Sequence, residues 1–118
     1  MDKIAIHEFS IKWIEKFKVQ NKNSHELFET MDFPNECWTL GIEMDGVKLF
    51  SEKYGSESFR ELESLQRIIY NVDDIQALGN LIFSKWRWFN HGDYVVYKPE
   101  DEKWFIMAFN RLIELTKE

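Results

Sequence analysis

The stretch Asp74-Ile-Gln-Ala-Leu-Gly-Asn-Leu-Ile-Phe-Ser-Lys-Trp-Arg-Trp-Phe-Asn-His91 decides how the rest of the chain must fold. It reads as one helix. At about 100° per residue, Trp86, Ile82, Phe89 and Leu78 fall within roughly 60° of Ile75, and Leu81 and Trp88 widen the apolar arc. Gln76, Asn80, Ser84, Arg87 and His91 collect in a polar sector about 80° wide. A helix this apolar belongs at the centre of a bundle. Its narrow polar stripe must then meet solvent, a cleft or a buried network.

Outward from this helix the chain reads as further helices. Asp73 with Gln76 has capping-box spacing and opens the central helix, and Gly92 suits its end. Ser58 with Glu61 repeats the device and opens a helix over 59–70, with Leu62, Leu65, Ile68 and Ile69 inward. Downstream, Tyr94 to Tyr97 form a short β-prone connector. Pro99, followed by Glu100, Asp101 and Glu102, starts a last helix over 100–116, because proline needs no amide partner in a first turn and acids suit the positive end of the dipole. Trp104, Phe105, Ala108, Phe109, Leu112, Ile113 and Leu115 form its inner face.

At the other end, Ile6, Phe9, Trp13 and Phe17 recur at three and four residues and predict an amphipathic helix over 6–20, ended by Asn21 to Asn23. Asn23 with Glu26 suggests a short helix from Ser24 to Met31 that buries Leu27 and Phe28. Pro34 closes it and pushes Phe33 into an extended conformation. Residues 36–55 have two readings. In the first, Asp45-Gly46 turns a hairpin with Trp38, Leu40, Ile42 and Met44 alternating along one strand. In the second, a helix runs from Ile42 to Tyr54 and stops at Gly55. The second is preferred, since Lys48 to Tyr54 shows no alternation. The expected fold is a mainly α, compact single-domain bundle of five to six helices over residues 1–118, around central helix 74–91. The alternative is α+β with a small hairpin at 37–50.

Composition narrows the function classes. The 118 residues suit one domain, and 44% hydrophobic with 31% charged residues is a globular balance. A formal net charge of −6 opposes nucleic-acid binding. Residues 23–59 carry eight acids against two lysines, so the middle third is the acidic part. No apolar run approaches the ~20 residues of a membrane span, and no leader sequence is visible. One cysteine, Cys37, leaves no intramolecular disulfide, fits a reducing cytoplasmic setting, and reads as a small core residue.

Two surfaces emerge as candidates. Asn80, Ser84, Arg87 and His91, bordered by Trp88, have the composition of a small-molecule or anion-binding cleft, or of an enzyme's site if an acid partner is supplied from elsewhere. The plainer reading of this stripe is a solvated seam. Ser84 and His91 lie about 10.5 Å apart along the helix, too far for a nucleophile–base pair. No catalytic constellation is therefore expected. His7, His25 and His91 lack metal-ligand spacing, and no cofactor or metal is expected. Lys85 sits in the apolar arc, where its simplest reading is a stem that carries the ammonium out to water; the sharper one is a buried ion pair or a cation–π contact with Trp88 or Trp104. The second surface is acidic: Glu36, Glu43, Asp45 and Glu52 would dock a basic partner protein. The function expected from the sequence is an acidic cytoplasmic protein-interaction module, for example an inhibitor or immunity-type antagonist of a basic protein. Self-association is left open.

Overall fold

The computed structural model describes residues 2–19, 30–44, 47–54, 61–91 and 97–117. Among these are six α-helices and no strand. They are α1 (Lys3–Val19), α2 (Asp32–Leu40), α3 (Val47–Tyr54), α4 (Leu62–Ile68, running into a 3-10 turn Ile69–Asn71), α5 (Ile75–His91) and α6 (Pro99–Thr116). The mainly α bundle is thus the fold, and the hairpin alternative falls, since Cys37 to Leu40 and Val47 to Phe50 are helical. Helix α1 lies along α6, while α5 packs against both α6 and α3. The α4 end packs against α6 as well, so the last helix shares the central place with α5.

The core follows the helical spacing of large side chains. Ile6, Phe9, Trp13, Ile14 and Phe17 of α1 are buried, as are Trp104, Phe105, Ala108, Phe109 and Leu112 of α6. Phe33 of α2 joins the layers. It is fully buried, and its ring centroid lies 4.9 Å from Trp13, 5.5 Å from Phe9, 5.5 Å from Trp86 and 5.8 Å from Phe83.

Several boundaries differ from the sequence expectation, each for a local reason. Helix α1 begins at Lys3, because the Asp2 carboxylate accepts the Ala5 amide at 3.1 Å and caps the first turn. Pro34 does not close a helix; it lies in the first turn of α2, where its missing N–H leaves no bond unmade, and Phe33 before it is helical. Helix α5 is capped by Asp74, whose Oδ1 accepts the Ala77 amide at 3.0 Å, and not by Asp73. Asp73 instead accepts the Tyr54 hydroxyl at 2.9 Å. Glu61 is the residue before α4, not a third-position partner within it. Pro99 opens α6 as expected, and the Lys98 amide donates to Asp101 Oδ2 at 2.9 Å. The proposed helix 24–31 and the residues Asp45, Gly46, Gly55, Ser58, Gly92 and Tyr94 to Val96 lie largely or wholly outside the described residues.

The expected helix from Ile42 to Tyr54 forms only from Val47 onward. Gly41 takes a left-handed conformation (φ 80°) and ends α2. Its amide donates to Trp38 O at 3.1 Å and the Ile42 amide to Cys37 O at 2.8 Å, the two bonds of a Schellman close. Ile42 then turns into the core, 2% exposed, against Gly79 of α5. A Cβ at position 79 would sit 3.3 Å from Ile42 Cγ1, so the missing side chain in α5 is the notch that admits this connector.

Candidate functional site

The polar stripe of α5 divides into two parts with different work. Its first half holds the connector 41–44. Gln76 Nε2 donates to Gly41 O at 2.9 Å and to Asn80 Oδ1 at 2.8 Å. Asn80, 2% exposed, accepts the Glu43 amide on the same Oδ1 at 2.8 Å. The Ser84 hydroxyl bonds Met44 O and lies 2.8 Å from Asn80 O. Successive helical turns thus meet successive connector residues, and the connector runs beside α5 in the same direction. The backbone of an irregular segment needs partners when it lies against a core, and these three side chains supply them.

The second half faces outward. Arg87 and Trp88 are exposed, Trp88 by 50%. The His91 side chain lies outside the described residues. The stripe therefore brings Asn80 and Ser84 together as structural groups and sets Arg87 and Trp88 apart from them at the surface. Trp38 of α2, 51% exposed, is a surface residue that only the hairpin alternative places, on a strand face. Its ring lies 6.0 Å from that of buried Phe83. Phe83 precedes Arg87 by four residues, one helical turn. Around the helix, Phe83 and Trp88 fall on opposite sides of Arg87, about 40° and about 100° from it. The signal in sequence was that, with α2 drawn as a helix, Trp38 falls about 140° from Phe33, about 160° from Leu40 and about 100° from Cys37, although only about 40° from Pro34.

The acidic set is likewise split. Glu36 is half-buried and held by α1: Trp13 Nε1 donates to its Oε2 at 2.7 Å, and Lys12 pairs with Oε1. Glu43 and Glu52 are exposed, and Asp45 lies outside the described residues.

Lys85 departs from the simplest reading. Its stem does not carry the ammonium to water; the residue is 2% exposed. Nζ lies 3.5 Å from Asp101 Oδ1, 4.7 Å from the centre of the Trp104 ring and 5.8 Å from that of Phe89. Burial pushes its pKa below the ordinary lysine value, and the Asp101 carboxylate partly opposes this. An amine with a lowered pKa is a nucleophile where substrate reaches it, but here aromatic rings cover it. Asp101 is shared between Lys85 and the Lys98 amide, so the pair fastens α5 to the start of α6.

Other polar groups have structural partners. His7 Nδ1 and Thr116 Oγ1 are 2.9 Å apart and join the first and last helices. Cys37 is buried, and its pKa is driven upward by burial, then by Glu36. A cleft of about 410 Å³ lies between α1 and α2, with Phe9 and Leu40 on its apolar side and Lys12 and Glu36, paired with each other, at its edge. Among the described residues no group of three or more His, Cys, Asp or Glu side chains is placed to hold a metal ion. No described helix is long and apolar enough to cross a membrane. Comparison of the chain with protein-family models, with curated proteins and with solved structures finds no match.

Proposed function

We propose that this protein acts by binding another protein, through a surface centred on Trp38, Arg87 and Trp88. The observation that carries this reading is that Trp38 and Trp88 are each about half exposed and that Arg87, next to Trp88 in α5, is exposed as well. Most other large aromatics of the described residues are buried. Tryptophan and arginine are among the residues most enriched in binding hot spots, tryptophan because its rigid ring buries much area and arginine because its planar fork donates several hydrogen bonds. The inner stripe residues that a small-molecule cleft would need, Asn80 and Ser84, are engaged by the connector backbone. This favours a contact surface over a ligand pocket.

The concrete form is an inhibitor or immunity-type antagonist of a basic protein in a reducing, cytoplasmic setting. The net charge of −6 and the exposed Glu43 and Glu52 support attraction of a basic partner, with Asp45 between them in sequence. The test is a photo-crosslinking amino acid at position 38 in cells, identification of the crosslinked protein, and binding measurements on the purified pair. Trp88→Ala is expected to weaken binding at least about 10-fold. Neutralising Glu43 and Glu52 is expected to flatten the fall in affinity between about 50 and about 300 mM salt. A partner that binds the Trp38→Ala/Trp88→Ala protein as tightly as the parent removes this surface. Affinity indifferent to salt removes the basic partner.

A further inference from the structure

The outer face of α6 carries a second surface, remote from Trp38 in the chain and different in chemistry. A groove of about 490 Å³ runs along it. Ile106, Met107 and Ile113, all half-buried, form its floor, and exposed Tyr70 of the 3-10 turn forms a wall. Exposed Lys103 and Lys117 stand at its two ends. They are fourteen residues apart, Lys103 within α6 and Lys117 just past its end, about 21 Å at the helical rise. Among the described residues no acid pairs with either. The third basic residue of the groove, Arg111, is held by Val72 O at 2.9 Å, Tyr70 O at 3.0 Å and Glu114 at 2.8 Å. On a chain of net charge −6, this groove has three basic side chains against one acidic one.

The sequence along the groove is periodic. Lys103, Asn110 and Lys117 recur every seven residues, as do Ile106 and Ile113. A seven-residue repeat on one helix face is the spacing that a second helix matches when the two pack side by side. We propose that this groove docks an amphipathic helix of about four turns from a different protein, with an apolar stripe along its middle and an acidic residue near each end. A second copy of this chain is a poor occupant. Antiparallel packing about Asn110 would set Lys103 against Lys117 of the other copy, and parallel packing would set each lysine against itself. Like charges face each other in both arrangements.

The probe is a designed helical peptide of about 15 residues with leucines at heptad spacing and glutamates at both ends, compared by fluorescence anisotropy with the same peptide ended by lysines. The glutamate-ended peptide is expected to bind at least about 10-fold tighter. The exposed-site double variant Lys103→Glu/Lys117→Glu is expected to reverse this preference. Met107→Glu, with its fold checked by circular dichroism, is expected to weaken both. Trp38→Ala should change nothing, which separates this groove from the tryptophan surface. Equal binding of the two peptides, no binding of either, or no reversal overturns the proposal. So does a dimer in sedimentation equilibrium that Met107→Glu abolishes, which would give the groove to a second copy. Displacement of the peptide by laurate at concentrations below its micelle point, with a laurate affinity above the peptide's, would assign the groove to an anionic amphiphile instead.

Discussion

Asn80 illustrates how one buried polar side chain can serve architecture where its surroundings suggest a site. Its single oxygen accepts from the Glu43 amide and from Gln76. Removing it leaves a part-buried backbone donor without this partner, so Asn80→Ala is expected to cost about 2 kcal/mol in urea denaturation. The Glu43 amide should also lose hydrogen-exchange protection. Ser84→Ala is expected to cost about 1 kcal/mol. A ligand-binding role alone would leave stability unchanged in both. Lys85 makes the complementary case. Asp101→Asn removes the carboxylate 3.5 Å from its ammonium, which lies among aromatic rings, and is expected to cost about 2 kcal/mol. The pH dependence has a definite sign. Burial holds Lys85 below its ordinary value of 10.5, so between its folded value and 10.5 the unfolded chain binds more protons. This residue's contribution therefore rises with pH through that interval. Cys37 and Tyr97 act oppositely, since burial raises both above their ordinary values of 9.0 and 10.0. Lys85→Met compared with the parent protein across alkaline pH should isolate the rising component.

At the scale of elements, the ends of helices carry more information than their middles. Asp74 caps α5 and its pKa lies below the ordinary 3.8, chiefly because it accepts the Ala77 amide; its bond to Lys53 acts in the same direction. Its stabilisation is complete above 3.8 and is lost as pH falls through the folded value. Asp74→Ala is expected to cost about 1 kcal/mol at neutral pH, and Asp74→Asn should remove part of the acid-side slope. Gly41 is held at φ 80° with open space where a Cβ would go. Gly41→Ala is therefore expected to cost about 1 kcal/mol through backbone strain and not through a clash. The existence of α1, α5 and α6 was legible because apolar side chains recur there at three and four residues. The caps were less so, since Asp73 and Asp74 offer the same chemistry one residue apart. Tyr54 and Lys53, on a helix about twenty residues earlier, take Asp73 and Asp74 respectively and fix the frame.

For the whole molecule, Phe33 is the residue on which the layers converge, against rings from α1, α5 and α6. Phe33→Ala is expected to cost about 3–5 kcal/mol, a large share of the roughly 5–15 kcal/mol that holds a typical domain. Its effect should appear as a lowered midpoint in denaturant, with Cys37 becoming open to thiol reagents at lower urea than in the parent. The spacing of large apolar residues was enough by itself to determine that this chain is a helical bundle, because burying an aromatic face is a requirement each helix carries in its own sequence; that α6 shares the centre with 74–91 came only from the packing. Which polar groups form a surface was decided only in the tertiary structure. Asn80 and Arg87 lie on one face of one helix, and nothing local separates them. The connector 41–44 separates them by coming in through the notch at Gly79 and taking up Asn80 and Ser84, while Arg87, a turn further on, stays at the surface. Partners that meet across some forty residues of chain leave no periodic mark in either segment, so their pairing becomes visible only once the helices have packed.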